Sequence, residues 1–297
     1  MNTKTQVIRS ASSPLDLAGR FKRLLSYRQL LRSLVRRELR SRYKDSALGF
    51  GWSMLNPILY LVVFYLVFNI FLPGGIPFFP VFLLSGLLPW TLFSSALSSG
   101  ASSVVANGPL LKKVYFPREV LPLASLGASM FHFFLQLAVL IGFLVIFRYP
   151  FLSENLLLVP IALMTEILLL VGLGLLLSAI TVYLRDVQHF LELALLAWFW
   201  MTPIVYPVAL VAGKLVPKGL FGFYLANPMT PVVLSFQRAF YNRVTPTLRG
   251  EPVSILLDQP MSWYLQRLSV VASVAVVLIV VGQIVFARLE GNFAAEL

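Results

Sequence analysis

From Ser46 to Leu111 the chain contains no Asp, Glu, Lys or Arg. Soluble domains place a charge every few residues, whereas a run of about 18 or more apolar residues without charge is long enough to cross a bilayer as a helix. This run exceeds one crossing and is interrupted by Pro73-Gly74-Gly75-Ile76-Pro77, so it divides into two spans joined by a tight external turn. Val120–Phe147, Leu193–Gly213 and Leu268–Ala287 are equally free of those four residue types, and Asn155–Leu184 holds only Glu166. The pattern predicts an all-α membrane protein with six transmembrane helices, at residues 52–72, 79–105, 121–147, 156–183, 192–212 and 267–287.

Charge placement sets the expected orientation. Residues 1–51 hold twelve Lys and Arg against Asp16, Glu38 and Asp45, a net +9 of the chain's +12. By the positive-inside rule this arm is cytoplasmic, and an even number of spans puts both termini there. With that orientation Lys112, Lys113, Arg118, Arg185 and Arg288 lie inside and seven other cations lie outside, so the orientation rests on the arm. The first 45 residues show no short apolar core followed by a small-residue cleavage site, and the first span is expected to act as an uncleaved anchor. The domain plan is a basic arm at 1–45 followed by a six-span domain at 46–297.

Within the arm, Tyr27, Leu30, Leu31, Leu34, Val35, Leu39 and Tyr43 recur at helical spacing, with Arg28, Arg32, Arg36, Arg37, Arg40 and Lys44 mainly opposite. This is an amphipathic interface helix, expected in the headgroup plane with its cations near anionic lipid. A surface anchor is one reading, and an anchor that also docks a partner is the other. Nucleic-acid binding is disfavoured, because the apolar stripe would have no use.

The segment from Lys214 to Gln266, between spans five and six, contains an uncharged stretch, Gly219–Gln237, that includes Asn227-Pro228 and Pro231. Prolines this close together argue against an ordinary spanning helix. Short re-entrant helices that dip into the membrane and line an external mouth fit better, since such backbone survives only where protein or water satisfies it.

Catalytic signatures are missing. The sequence has no phosphate loop, no G-x-G-x-x-G, no H-E-x-x-H and no G-x-S-x-G, and His132 and His189 are its only histidines, which argues against a metal cluster. There is no cysteine. Asp45, Glu119, Asp186 and Glu192 are scattered over different segments, unlike the paired acids of a membrane glycosyltransferase. The inside loop Asn107–Val120, NGPLLKKVYFPREV, reads as a short helix bounded by Pro109 and Pro117 that crosses the membrane surface. Leu110, Leu111, Val114, Tyr115 and Phe116 would anchor it in a partner's groove while Lys112 and Lys113 steer the encounter.

Seven elements then occur in order: Arg42-Tyr43-Lys44; Gly49…Gly51-Trp52…Asn56-Pro57; Gly86…Pro89-Trp90; Leu110-Leu111-Lys112-Lys113…Phe116-Pro117; Arg185-Asp186; Thr202-Pro203-Ile204…Tyr206; and Asn227-Pro228…Pro231. In this the chain resembles the membrane subunit of ABC exporters for lipid-linked polysaccharides, the O-antigen, capsule, galactan and teichoic acid type within the type-2 ABC exporter superfamily. The resemblance runs from about Leu31 to the C-terminus and leaves residues 1–26 without a counterpart. It implies a homodimer working with two copies of a separate ATPase subunit, which would bind ATP and Mg, while this chain needs no cofactor. It also implies a bacterial cytoplasmic membrane location and a polyprenyl-pyrophosphate-linked glycan as substrate. The loop residues Leu110, Leu111, Lys112, Lys113, Tyr115, Phe116 and Pro117 would form the coupling helix. The interface helix, through Leu31, Leu34, Arg37, Arg40 and Tyr43, would frame the ATPase, and Asn227 and Pro228 would sit at the external mouth. Rival readings are a small-molecule or drug exporter of the same superfamily and, further off, a membrane glycosyltransferase.

Five residues are candidates for a glycan pathway: Trp90, Glu166, Trp198, Trp200 and Tyr206. Sugar rings stack on aromatic faces, although Trp and Tyr also populate membrane interfaces and packed cores. A charge in mid-span costs roughly 2.5–3.5 kcal/mol on insertion scales, so Glu166 is expected to face water, to pair with His132 or Gln136, or to be protonated. Arg185-Asp186 and Arg118-Glu119 read as local structural pairs.

Overall fold

A computed structural model describes residues 26–43, 76–114, 116–248 and 251–296, together with a few single residues between 19 and 66. Most of the expected first span at 52–72, residue Tyr115 and the side chain of Tyr43 lie outside the described residues. Helices in chain order are α1 (Arg28–Tyr43), α2 (Phe79–Ala106), α3 (Gly108–Leu111), α4 (Val120–Ile146), α5 (Leu158–Tyr183), α6 (Val187–Met201), α7 (Val208–Leu215), α8 (Phe221–Leu225), α9 (Met229–Phe240), α10 (Met261–Leu289) and α11 (Phe293–Glu296). A two-stranded antiparallel hairpin, β1 (Thr247–Leu248) and β2 (Glu251–Pro252), follows α9.

Among the described residues, four helices are long and apolar enough to cross a membrane: α2, α4, α5 with its preceding 3-10 turn (Glu154–Tyr183), and α10 with its following turn (Met261–Asn292). They fall on the expected spans 79–105, 121–147, 156–183 and 267–287. α2, with 28 residues at about 1.5 Å each, exceeds a hydrocarbon core of about 30 Å. The fifth expected span is different. It is a 15-residue helix, α6, and not a single helix over 192–212.

Of the four long helices, α2, α5 and α10 end beside α1 while α4 starts there, and each end of the bundle has its own lock. At one end α1 packs on α4, with Leu34 buried among Val104, Leu111, Phe116, Val120, Leu121 and Phe286. A Cβ on Gly127 would stand 2.9 Å from Val35 Cγ2, so the glycine gives α1 its seat. The apolar stripe of α1 therefore meets protein, while Arg28, Arg32, Arg36, Arg37 and Arg40 are exposed. At the other end Tyr149 donates to the Tyr241 carbonyl (2.7 Å) and accepts from Arg243 Nε (3.1 Å), and the guanidinium lies 4.4 Å over the Phe78 ring. Burial raises the Tyr149 phenol above its ordinary range and Arg243 only partly offsets this, so the phenol keeps the proton it donates. Tyr241 in turn donates to Pro77 O (2.9 Å), which joins three loops into one knot.

The outward sides are apolar. α4 exposes Phe131, Phe134, Val139, Ile141 and Val145; α10 exposes Val270, Val274, Val277 and Val281 at spacings of four, three and four. α5 and α10 cross in close contact. A Cβ on Gly282 would come 2.7 Å from Gly172 O, and one on Gly172 would come 2.8 Å from Ile279 N. Between spanning helices, where association relies on packing, such backbone approach needs small residues. Gly172→Val or Gly282→Leu should therefore lower the thermal midpoint of the detergent-solubilised protein by at least about 5 °C or prevent its recovery. Gly142→Ala, with nothing within 4 Å of the added carbon, should leave it unchanged or slightly raised.

Candidate functional site

α6 stops at Met201 because Pro203 has no amide hydrogen and drives the preceding Thr202 out of helical geometry, to φ −109 and ψ 136. The chain is non-helical from Thr202 to Pro207 and turns helical again only at Val208. A helix end leaves its last four carbonyls without intrahelical partners, a heavy cost at membrane depth.

All four are satisfied here. The Trp198 carbonyl accepts from Thr202 Oγ1 (2.9 Å), Phe199 from the Thr202 amide (3.2 Å), Trp200 from the Tyr206 hydroxyl (2.8 Å) and Met201 from Asn227 Nδ2 (3.3 Å). The next exposed acceptor, Pro203 O, receives Gln237 Nε2 at 2.8 Å. Asn227 is the hub. Its Nδ2 also donates to Thr202 Oγ1 (3.0 Å), and its Oδ1 accepts the Trp198 indole N–H (2.7 Å) and the Met229 amide (3.0 Å). It thus caps α9 while closing the end of α6.

Gly86 belongs to the same construction. A Cβ there would lie 2.9 Å from Gln237 Nε2 and 3.3 Å from Ile204 O, so only glycine lets α2 approach the unwound segment. The motif residues Gly86, Trp198, Thr202, Pro203, Tyr206 and Asn227 are brought together as one backbone-satisfying cluster. Gln237, which completes it, carried no sequence signal beyond being a polar residue in an uncharged run.

The expected re-entrant hairpin takes a particular form. α8 and α9 are separated at Ala226-Asn227, and both prolines begin α9: Pro228 sits at its N-cap and Pro231 in its first turn, where amides lack helical partners anyway. α9 itself is packed inside the chain, while Asn227 and Pro228 before it are half-buried. Every residue of it except Arg238 is buried, against α2 and α5.

Of the five proposed pathway residues, Trp90 and Glu166 are buried and Trp198 is half-buried against the core. Trp90 packs against Phe93 and Phe199, both with ring centroids 5.7 Å away, and Trp198 against Phe93 at 5.0 Å. Glu166 is fully buried, and neither of its oxygens has a hydrogen-bond partner among the described residues, so His132 and Gln136 do not pair with it. Gln136 instead accepts from Thr91 (2.8 Å). Trp200 is 53% exposed, and Tyr206, half-buried, also meets the Tyr224 hydroxyl at 3.2 Å.

The inside loop departs from its expected form. Its helix, α3, is one turn long and ends at Leu111, well short of Pro117. Leu111 and Phe116 point into the chain's own core, whereas Lys112, Lys113 and Val114 are exposed and Leu110 and Pro117 are half-buried. Arg37 of α1 donates to Asn107 Oδ1 at the start of this loop, which ties helix and loop together. Arg118 donates to the Glu290 carbonyl and lies over the Phe293 ring, fixing the end of α10 rather than standing free. Arg185 and Asp186 are exposed at the α5–α6 turn.

The sequence profile of the ABC-2 type transporter family matches residues 29–241, from the start of α1 to the end of α9. The chain is 35% identical over 234 residues to the O-antigen export system permease protein RfbA of Myxococcus xanthus, covering 78% of this chain and 87% of that protein. It is 29% identical over 265 residues to the protein of the same name from Klebsiella pneumoniae, covering 89% and 93%. It is 27% identical over 229 residues to the polysialic acid transport protein KpsM of Escherichia coli, covering 75% and 84%. The chain with the α6 break, the Asn227 cap and the α1-braced loop belongs to the ABC-2 type transporter family, as its membrane-spanning subunit.

Proposed function

We propose that this chain is the permease of a bacterial ABC exporter that carries a polyprenyl-pyrophosphate-linked cell-envelope glycan across the cytoplasmic membrane. The observation that carries the reading is near-full-length similarity to permeases named for O-antigen export, in a chain with no phosphate loop of its own. Moving a polar glycan through hydrocarbon requires work, so the energy comes from a separate ATPase subunit that holds ATP and Mg. Two copies of the permease work with two of the ATPase. α6 supports such pairing, since Phe190, Leu193, Leu196 and Trp200 leave one side of it apolar and exposed.

The termini face the cytoplasm, in keeping with the +9 charge of residues 1–51. Docking then falls to the face built by α1 and the Asn107–Val120 loop. Val114, 53% exposed, is its apolar anchor, and Lys112, Lys113 and the exposed arginines of α1 orient the partner. Phe116 supports that face from beneath. Its truncation to Ala costs about 3–5 kcal/mol of fold stability and so does not report on docking alone.

Proteoliposomes holding this chain and its ATPase should move the lipid-linked glycan only with ATP, and the chain alone should neither hydrolyse ATP nor export. Nucleotide-independent export by the chain alone would overturn the reading. Val114→Asp should reduce coupled transport at least about tenfold at an unchanged thermal midpoint, the loss of an interface anchor worth about 2 kcal/mol. Asn227→Ala should instead lower the thermal midpoint and transport together, since it strands the Met201 carbonyl and the Trp198 indole. A stable, fully active Asn227→Ala protein would remove the role assigned to the cap.

A further inference from the structure

Between Ser85 and Val104, six residues of α2 are neither buried nor apolar: Thr91, Ser94, Ser95, Ser98, Ser99 and Ser102, while every other position between those two is buried. At about 100° per residue the six share one side of the helix. A side in contact with acyl chains is expected to be apolar, as those of α4 and α10 are. This hydroxyl stripe faces something polar.

At the end of α2 nearest α1 the stripe opens on a cavity of about 280 Å³, walled by Ser98, Ser99 and Ser102 on one side and by Gln188, Leu191 and Glu192 of α6 on the other. Most of the serine protons are spent locally, Ser98 being the exception among the described residues. Ser94 donates to Trp90 O (2.9 Å), Ser99 to Ser95 O (2.7 Å) and Ser102 to Ser98 O (3.2 Å). What such hydroxyls turn outward is mainly acceptor lone pairs, and an ionised Glu192 is acceptor-only. The Gln188 amide supplies donors. A wall of this kind suits a ligand that brings many hydroxyl donors and repels a phosphate. Single, weak, repeated contacts also let a long ligand slide onward.

We propose that this cavity is the sugar subsite of the permease at the α1 end of the membrane, taking up neutral glycan hydroxyls and excluding the pyrophosphate of the lipid carrier. The proposal rests on the glycan-export reading above and adds the residues and the part of the substrate they hold. Trp90 and Trp198, by contrast, are committed to packing.

The chain contains no cysteine, so Ser99→Cys gives the permease a single labelling site, read on the permease band of the assembled complex with its ATPase. A water-soluble methanethiosulfonate should react at this site, the cationic reagent at least about fivefold faster than the anionic one, while Val277→Cys on the apolar side of α10 stays unlabelled. Lipid-free polysaccharide released from the producing cells by mild acid should slow labelling at Ser99→Cys several-fold, and inorganic pyrophosphate should not. Ser98→Ala, Ser99→Ala and Ser102→Ala combined should raise the half-saturating glycan concentration for transport at least about fivefold, with assembly and thermal midpoint unchanged. Glu192→Gln should retain more transport than Glu192→Leu. An unreactive Ser99→Cys, protection by pyrophosphate or only by a hydrophobic cation, or unaltered transport by the triple variant would each overturn the proposal. ATP-driven glycan export by the unaltered complex, measured alongside, separates any such failure from a failure of the export reading itself.

Discussion

A helix that ends inside a membrane must find four hydrogen-bond donors for its last carbonyls, and much of this molecule follows from how α6 meets that demand. Thr202 supplies two donors from one residue, Tyr206 folds back to supply a third, and Asn227 supplies the fourth from a separate part of the chain. Each unsatisfied carbonyl in hydrocarbon would cost several kcal/mol. The fourth donor fixes where α9 begins, and the buried α9 in turn fills the space between α2 and α5. Gly86 and Gln237 then follow as conditions of close approach.

The bundle therefore has a firm half and an adaptable half. Around the α6 break and the Tyr149–Arg243 knot, the exposed helix-end carbonyls and most polar side chains are paired and the helices interlock. Toward α1, contact is made by apolar side chains over one glycine seat, with Arg37 as a polar tie to the loop. Packed apolar surfaces can slide by a rotamer or a turn at less cost than a hydrogen-bonded cap can be broken, which suits the softer half to receive a push from another subunit.

The long spans were legible in the sequence because some twenty apolar residues without a charge have little choice but to be buried or to cross a membrane, and α2, α4, α5 and α10 fall where that pattern put them. The fifth span misled, since hydropathy does not register a break made by two prolines in an otherwise apolar run. Asn227 and Pro228 could be singled out as a pair, but their task could not, because Met201 is 26 residues away in the chain. Trp90 and Trp198 illustrate a different limit: an indole suits a core, an interface or a sugar equally well, and only its neighbours decide. The loop shows the same for Phe116, apolar and next to lysines yet turned inward. The serine stripe was present at helical spacing, but serine barely moves a hydropathy average and it passed as part of a span.

Everything proposed about energy coupling depends on the face formed by α1 and the Asn107–Val120 loop receiving the ATPase. Because the chain lacks cysteine, single cysteines at Val114, at Arg40 and, as the opposite-end control, at Arg148 can each carry a short photo-crosslinker in native membranes. Crosslinks to the ATPase subunit are predicted from positions 114 and 40 and none from position 148. Crosslinking from position 148 with silence at the other two would contradict both the docking face and the orientation of the chain.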